Sequence, residues 1–167
     1  MSHKLGAALA GAVAFLSLSV MPAQATTIVT PGESGVLSHT SRYTWIKATS
    51  PRPGGRYGYV YLGDGGATAT YRVSVPASGR YAMWIRFDDD GLHSSGARAV
   101  QIYVNGALAL TWSNVSKQTN GWINIPVGSV NLAAGWNTIV FKKAATTTAA
   151  YVMDEFVLTD VPGYVPN

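Results

Sequence analysis

The stretch "TYRVSVPASGRYAMWIRF", residues 70–87, decides the architecture. Tyr71, Val73 and Val75 alternate with Arg72 and Ser74, the period of a half-buried strand. "PASG" then supplies Pro, Ser and Gly where a chain reverses. "RYAMWIRF" follows as a second β-rich run, with Trp84 and Arg86 sharing a face. Two such runs joined by a short turn make an antiparallel pair.

The pattern extends in both directions. "RYTWIKA", "YGYVYL", "ATATYRVSV", "RAVQIYV", "LALTW", "WNTIVFKK" and "YVMDEFVLT" are short, rich in β-branched and aromatic residues, and set apart by turn signals such as "VNG" and "LAAG". No window carries an uninterrupted amphipathic helix of three turns. Many short strands at regular spacing predict an all-β fold, a β-sandwich of the jelly-roll kind.

Before that domain stands "MSHKLGAALAGAVAFLSLSVMPAQA", with Lys4 at its start, an apolar run and Ala23-Gln24-Ala25 at its end. This predicts a secretory signal peptide over residues 1–25, with a secreted domain over 26–167. The alternative is an uncleaved anchor, for which the run is short. Cleavage removes one charged residue, Lys4, of 12 basic and 8 acidic ones, and leaves a net charge of about +3. The basic residues are scattered, and the dense patch expected of a nucleic-acid binder is missing from the sequence. With no cysteine, stability has to come from the core, with or without a bound cation.

Asp154 and Glu155 stand side by side in the last run. Strict alternation puts Val152, Asp154, Phe156 and Leu158 on one face and Tyr151, Met153, Glu155 and Val157 on the other. One carboxylate then lies among apolar neighbours, which requires a partner charge, hydrogen bonds or a metal.

Five pieces occur in a fixed order: Gly79-Arg80-Tyr81 with Arg86-Phe87, Asn105-Gly106, Trp122, "LAAGWN" from Leu132 to Asn137, and Met153-Asp154. In that order they resemble the galactose-binding-domain-like jelly rolls, in particular carbohydrate-binding modules of families 6 and 35. The resemblance covers residues 55–160 well and 28–54 loosely. It implies a structural calcium held by Asp154 and first-strand acids. Here Glu33 fills one acid position, and Pro31 stands at the other. Without metal, backbone amides or an arginine, Arg86 or Arg98, have to neutralise Asp154. "DDDG" at residues 88–91 matches calcium-loop spacing poorly, because three consecutive Asp point in different directions.

The resemblance also implies a sugar-stacking pair made of Trp122 and one of Tyr57 or Tyr59. An asparagine usual two positions before the last-strand Asp is Val152 here. The residues themselves add candidates. Trp112, Trp122 and the loop between them, including Asn120, offer rings beside amides, and Trp45 is a further possible contact. Flat rings suit the C–H faces of sugars, with amides at the rim for hydroxyls. The competing role for each ring is core packing.

Catalysis needs a nucleophile or a positioned acid–base pair. The mature chain has only His39 and His93, no cysteine and no nucleophile-elbow motif. A glycosidase would need two facing carboxylates. The expectation is a secreted, non-catalytic module whose partner is a polysaccharide or glycan. The alternatives are an extracellular structural or adhesive protein with a protein partner, and a small polysaccharide hydrolase or lyase.

Overall fold

The computed structural model describes residues 25–49, 55–89, 93–115 and 121–167. The predicted signal peptide, apart from Ala25, lies outside the described residues, as do Asp90, Gly91 and Asn120.

The strands are β1 (Thr27–Pro31), β2 (Val36–Leu37), β3 (Thr44–Lys47), β4 (Tyr59–Leu62), β5 (Thr68–Val75), β6 (Gly79–Asp89), β7 (Ala99–Val104), β8 (Ala107–Ser113), β9 (Gly121–Leu132), β10 (Gly135–Lys143) and β11 (Tyr151–Thr159), with a 3-10 turn at Gly32–Ser34. They form two antiparallel sheets. The front sheet runs β3-β4-β11-β6-β9, with β1 also paired to β11, and the back sheet runs β2-β5-β10-β7-β8. The chain is the all-β sandwich that the alternation predicts.

Inward-facing residues of both sheets fill the space between them: Tyr71 and Val73 from β5, Tyr81, Met83, Ile85 and Phe87 from β6, Ile139 and Phe141 from β10. An aromatic cluster lies at the centre. Tyr71 meets Phe141 and Phe156 edge-on at 5.8 and 5.1 Å, and Phe87 meets Trp112 at 5.0 Å. Such tilted pairs place ring edges against ring faces, the arrangement favoured by the ring quadrupole.

The turn motifs have a shared physical basis. Asn105 (φ 49°) and Gly106 (φ 86°) close the β7–β8 hairpin in the left-handed region, the conformation a tight two-residue turn requires. Asn137, nearly fully buried, accepts hydrogen bonds from the Ala133 amide at 3.1 Å and the Asn105 side chain at 2.9 Å. It also donates to the carbonyls of Ala133 and Gly135. One side chain thereby ties two neighbouring turns together.

Two features depart from the sequence pattern. β9 is a strand of twelve residues despite Pro126 and Gly128, which read as punctuation. It is an edge strand, where proline costs no ladder bond, and its register shifts opposite Met83 and Trp84. β11 contains a bulge. Met153 pairs with Phe87 but Glu155 pairs with Arg86, so Asp154 is the extra residue.

Candidate binding face

The bulge corrects the alternation expected for β11. Before it, Tyr151 and Met153 point into the core; after it, Phe156 and Leu158 do. Asp154 and Glu155 therefore both project from the outer face of the front sheet rather than from opposite faces. That face also carries most of the candidate rings.

Across its upper part, Trp45 on β3 is register partner to Tyr61 on β4, which is partner to Val152 on β11. Trp45 and Tyr61 stack with centroids 3.9 Å apart and planes 7° from parallel. Tyr59, Ala150 and Val152 form a buried cluster with Tyr61 and Trp122 packed against it. Trp122 is the second residue of β9, and its neighbour Ile123 turns to the core instead. Its ring lies 6.3 Å from that of Tyr59, tilted by 59°. Tyr57, 40% exposed, stands at the flank.

Below the aromatic row lies a charged one. The Asp154 carboxylate is fully buried, with Oδ1 accepting the Tyr57 amide at 3.1 Å and Oδ2 accepting the Arg56 amide at 3.0 Å. Arg86 Nε lies 3.2 Å from Oδ2 as an ion pair. Glu155 accepts from the Arg56 guanidinium at 3.2 Å through Oε1, while Oε2 is buried with no hydrogen-bond partner. Burial pushes the Glu155 carboxyl above its usual range, against the pull of Arg56. The C-terminal residues close over this row. Asn124 donates to the carbonyls of Pro166 at 3.3 Å and Asn167 at 3.0 Å, and Arg56 also donates to that of Asn167.

Of the residues singled out in the sequence, Trp122, Tyr59 and Trp45 share one face, with Tyr57 beside it. Asn120 lies outside the described residues. Trp112 does not join them. It lies in β8, pairs with the inward-facing Val100 of β7, and is 9% exposed among Phe87 and Tyr151. An edge of its ring also lines a groove of about 600 Å³ at the open side of the sandwich, with Val115, Ile123, Asn124 and Pro126. Trp136, the first residue of the run "WNTIVFKK", is the second of β10 and is 67% exposed, with the Arg72 guanidinium 5.1 Å from its ring centroid. Tyr61 was not singled out. Its signal was present in "YGYVYL", where Tyr59 and Tyr61 stand at strand spacing on a common face.

The donor set around Asp154 does not fit the calcium expected there with Glu33. Calcium takes six to eight oxygen ligands, whereas both Asp154 oxygens already face N–H groups. Among the described residues, no group of three or more His, Cys, Asp or Glu side chains is placed to hold a metal. Glu33 sits on the 3-10 turn, where its Oε2 is buried without a hydrogen-bond partner.

A separate surface clasp surrounds Asp64. Its Oδ2 accepts from the hydroxyls of Ser41 at 2.5 Å and Thr44 at 2.7 Å and lies 3.2 Å from His39 Nε2. Ser38 Oγ meets His39 Nδ1 at 3.1 Å and accepts the Thr68 amide at 3.1 Å. The clasp pins residues 38–44 to the start of the β4–β5 connection.

No protein-family model matches the chain. Over 96 residues, 56% of the chain, it is 33% identical to a 1,6-alpha-glucosyltransferase of Sporosarcina globispora, and the match spans 7% of that enzyme's length. Its fold matches the native structure of a family 35 carbohydrate-binding module from Clostridium thermocellum, with a TM-score of 0.64 at 20% identity over 80% of this chain and 97% of that one. It also matches a Paenibacillus cycloisomaltooligosaccharide glucanotransferase complexed with cycloisomaltoheptaose, with a TM-score of 0.60 at 24% identity over 79% of this chain and 18% of that one. The fold is that of the family 35 modules, a jelly roll.

Proposed function

We propose that this protein is a secreted, non-catalytic carbohydrate-binding module. In this reading it grips a glycan on the outer face of the front sheet, between Trp122 and the Tyr57–Tyr59 edge. The observation that carries it is the convergence of Trp122, Tyr59, Tyr61 and Trp45 on one sheet face, supported by a sandwich of the family 35 kind. Rings supply stacking surface for C–H faces. Arg56 and Asn124, lower on the same face, already donate to Glu155 and to the Pro166 and Asn167 carbonyls.

The two enzymes with similar segments point to a ligand class. One is a 1,6-alpha-glucosyltransferase and the other a glucanotransferase bound to a cyclic isomaltooligosaccharide. An α-1,6-linked glucan is therefore the first ligand to test. The sequence pattern of residues 1–25 supports export.

A glycan array with the mature protein, followed by affinity electrophoresis in dextran and other soluble polysaccharides, tests the proposal. Retarded migration that is lost in a folded Trp122→Ala variant supports it. No glycan bound across the array, or products released from a polysaccharide, overturns it. One observation favours a protein partner as the second reading. Val152, in the middle of the aromatic row, offers no hydrogen bond where the resemblance puts an asparagine. Sugar-insensitive capture of one defined exported protein through this face would support that alternative.

A further inference from the structure

We infer that the Asp154–Arg86 ion pair takes the place of a metal ion in this module, and that Asp154 is the positioning residue that holds the Tyr57 segment to the binding face. The functional half of this statement rests on the proposal above; the structural half stands without it.

Asp154 follows the inward Met153 in β11, and the bulge keeps Glu155 beside it on the outer face. Without the bulge the alternation would still turn Asp154 outward, and Glu155 would point toward the core. Once outward, it meets donors from two directions. Arg86, on the neighbouring β6, supplies a cation at 3.2 Å, and its own side chain is only 11% exposed. The amides of Arg56 and Tyr57 approach from the connection into β4, at 3.0 and 3.1 Å. Each carboxylate oxygen accepts one backbone amide, and the Arg86 guanidinium adds its charge beside Oδ2. A calcium ligand instead needs its lone pairs turned to the ion. Arg86 supplies the compensating charge that an ion would bring, and its fixed planar guanidinium suits a buried pair.

The consequence falls on Tyr57. Residues 55–58 contain two glycines and no regular ladder. Their contact with the sheet includes the two amide bonds to Asp154 and a tight crossing at Gly58, where a Cβ would come within 2.1 Å of the Lys47 carbonyl oxygen. Asp154 touches no ligand itself. It fixes the backbone from which the exposed Tyr57 projects, two residues before Tyr59.

The test uses the mature protein, stripped with a chelator and then titrated with calcium. Melting temperature and amide exchange at residues 56 and 57 are followed throughout. Both are expected to be the same with and without calcium. In Asp154→Asn these two amides lose protection by about tenfold or more, the size expected of hydrogen bonds to a charged group, and glycan affinity falls with them. Because the single variant leaves Arg86 unpaired, the double variant Asp154→Asn with Arg86→Gln is made as well. It recovers melting temperature but neither the amide protection nor the affinity.

A melting temperature that rises with calcium, or amides 56 and 57 still protected in the double variant, overturns the inference. Should no glycan bind the wild type, the exchange and calcium measurements still decide the role of the ion pair, and only the function proposal fails.

Discussion

Trp122 and Tyr59 come from strands on opposite sides of β11 and β6, yet their rings lie 6.3 Å apart on one face. Sixty-two residues separate them in the chain. The front sheet brings them together because β4 and β9 lie on opposite flanks of the β11–β6 pair and both turn aromatic residues outward.

Removing either ring tests that pairing. Trp122→Ala and Tyr59→Ala are each expected to weaken glycan binding by about thirtyfold, the roughly 2 kcal/mol of a ring at the centre of an interface. Isothermal titration with the best ligand from the array measures it. Equal affinity in both folded variants would remove this face as the site.

Trp112 and Trp136 are expected to behave oppositely to Trp122. Trp112 packs on Phe87 and Tyr151, so Trp112→Ala costs about 3–5 kcal/mol of stability. Trp136 is largely exposed, so Trp136→Ala changes stability by no more than about 0.5 kcal/mol. Chemical denaturation of the two variants gives the comparison. A stable Trp112→Ala variant would contradict the packing described.

Gly32 permits the 3-10 turn to lie against the bulge. A Cβ there would stand 2.4 Å from the Met153 carbonyl oxygen and 2.9 Å from that of Asp154. Both obstacles are backbone, so the strand has to shift. Gly32→Ala is expected to lower stability by about 1–3 kcal/mol, read as a drop in melting temperature.

Two carboxylates give pH dependences of opposite sign. Asp64 is held below its ordinary value of 3.8, first by the Ser41 hydroxyl, then by Thr44, with His39 adding to them. Its stabilisation is complete above 3.8 and is lost as pH falls through the lower folded value. Asp64→Asn is therefore less stable than wild type at pH 7, and the gap closes in acid.

Glu155 runs the other way. Burial raises its folded value above 4.5, so its contribution is full below 4.5 and is lost as pH rises through the folded value. Glu155→Gln is expected to melt higher than wild type at pH 7 and to lose that advantage below about pH 4. Melting curves across this range decide both cases. A gap that stays constant with pH, for either variant, removes its electrostatic explanation.

The period-two pattern of Tyr71, Val73 and Val75, and the turn residues of "VNG" and "LAAG", determined the β-sandwich from the sequence alone. Those signals are local: alternation follows from the pleat, and Asn105-Gly106 from the left-handed turn it has to make. The same locality made β9 hard to see, because Pro126 and Gly128 break a strand everywhere except at an edge or a bulge, and edges are assigned by the whole sheet. Trp122, Tyr59 and Trp45 were legible as candidate rings from their residue type, but not which rings share a face. Trp112 went to the core and Trp136 to solvent because their strands' neighbours, not their own sequences, fix which side is covered.

Asp154 marks the boundary most clearly. Its sequence posed a buried charge and offered a metal, an arginine or backbone amides as partners. Only the tertiary structure chose, since the inward Met153 turns Asp154 outward, to Arg86 and the amides of Arg56 and Tyr57, and the bulge in β11 keeps Glu155 on the same side. Charge compensation acts over a few ångströms through space, between β6, β11 and the connection into β4, and no spacing along the chain encodes that distance.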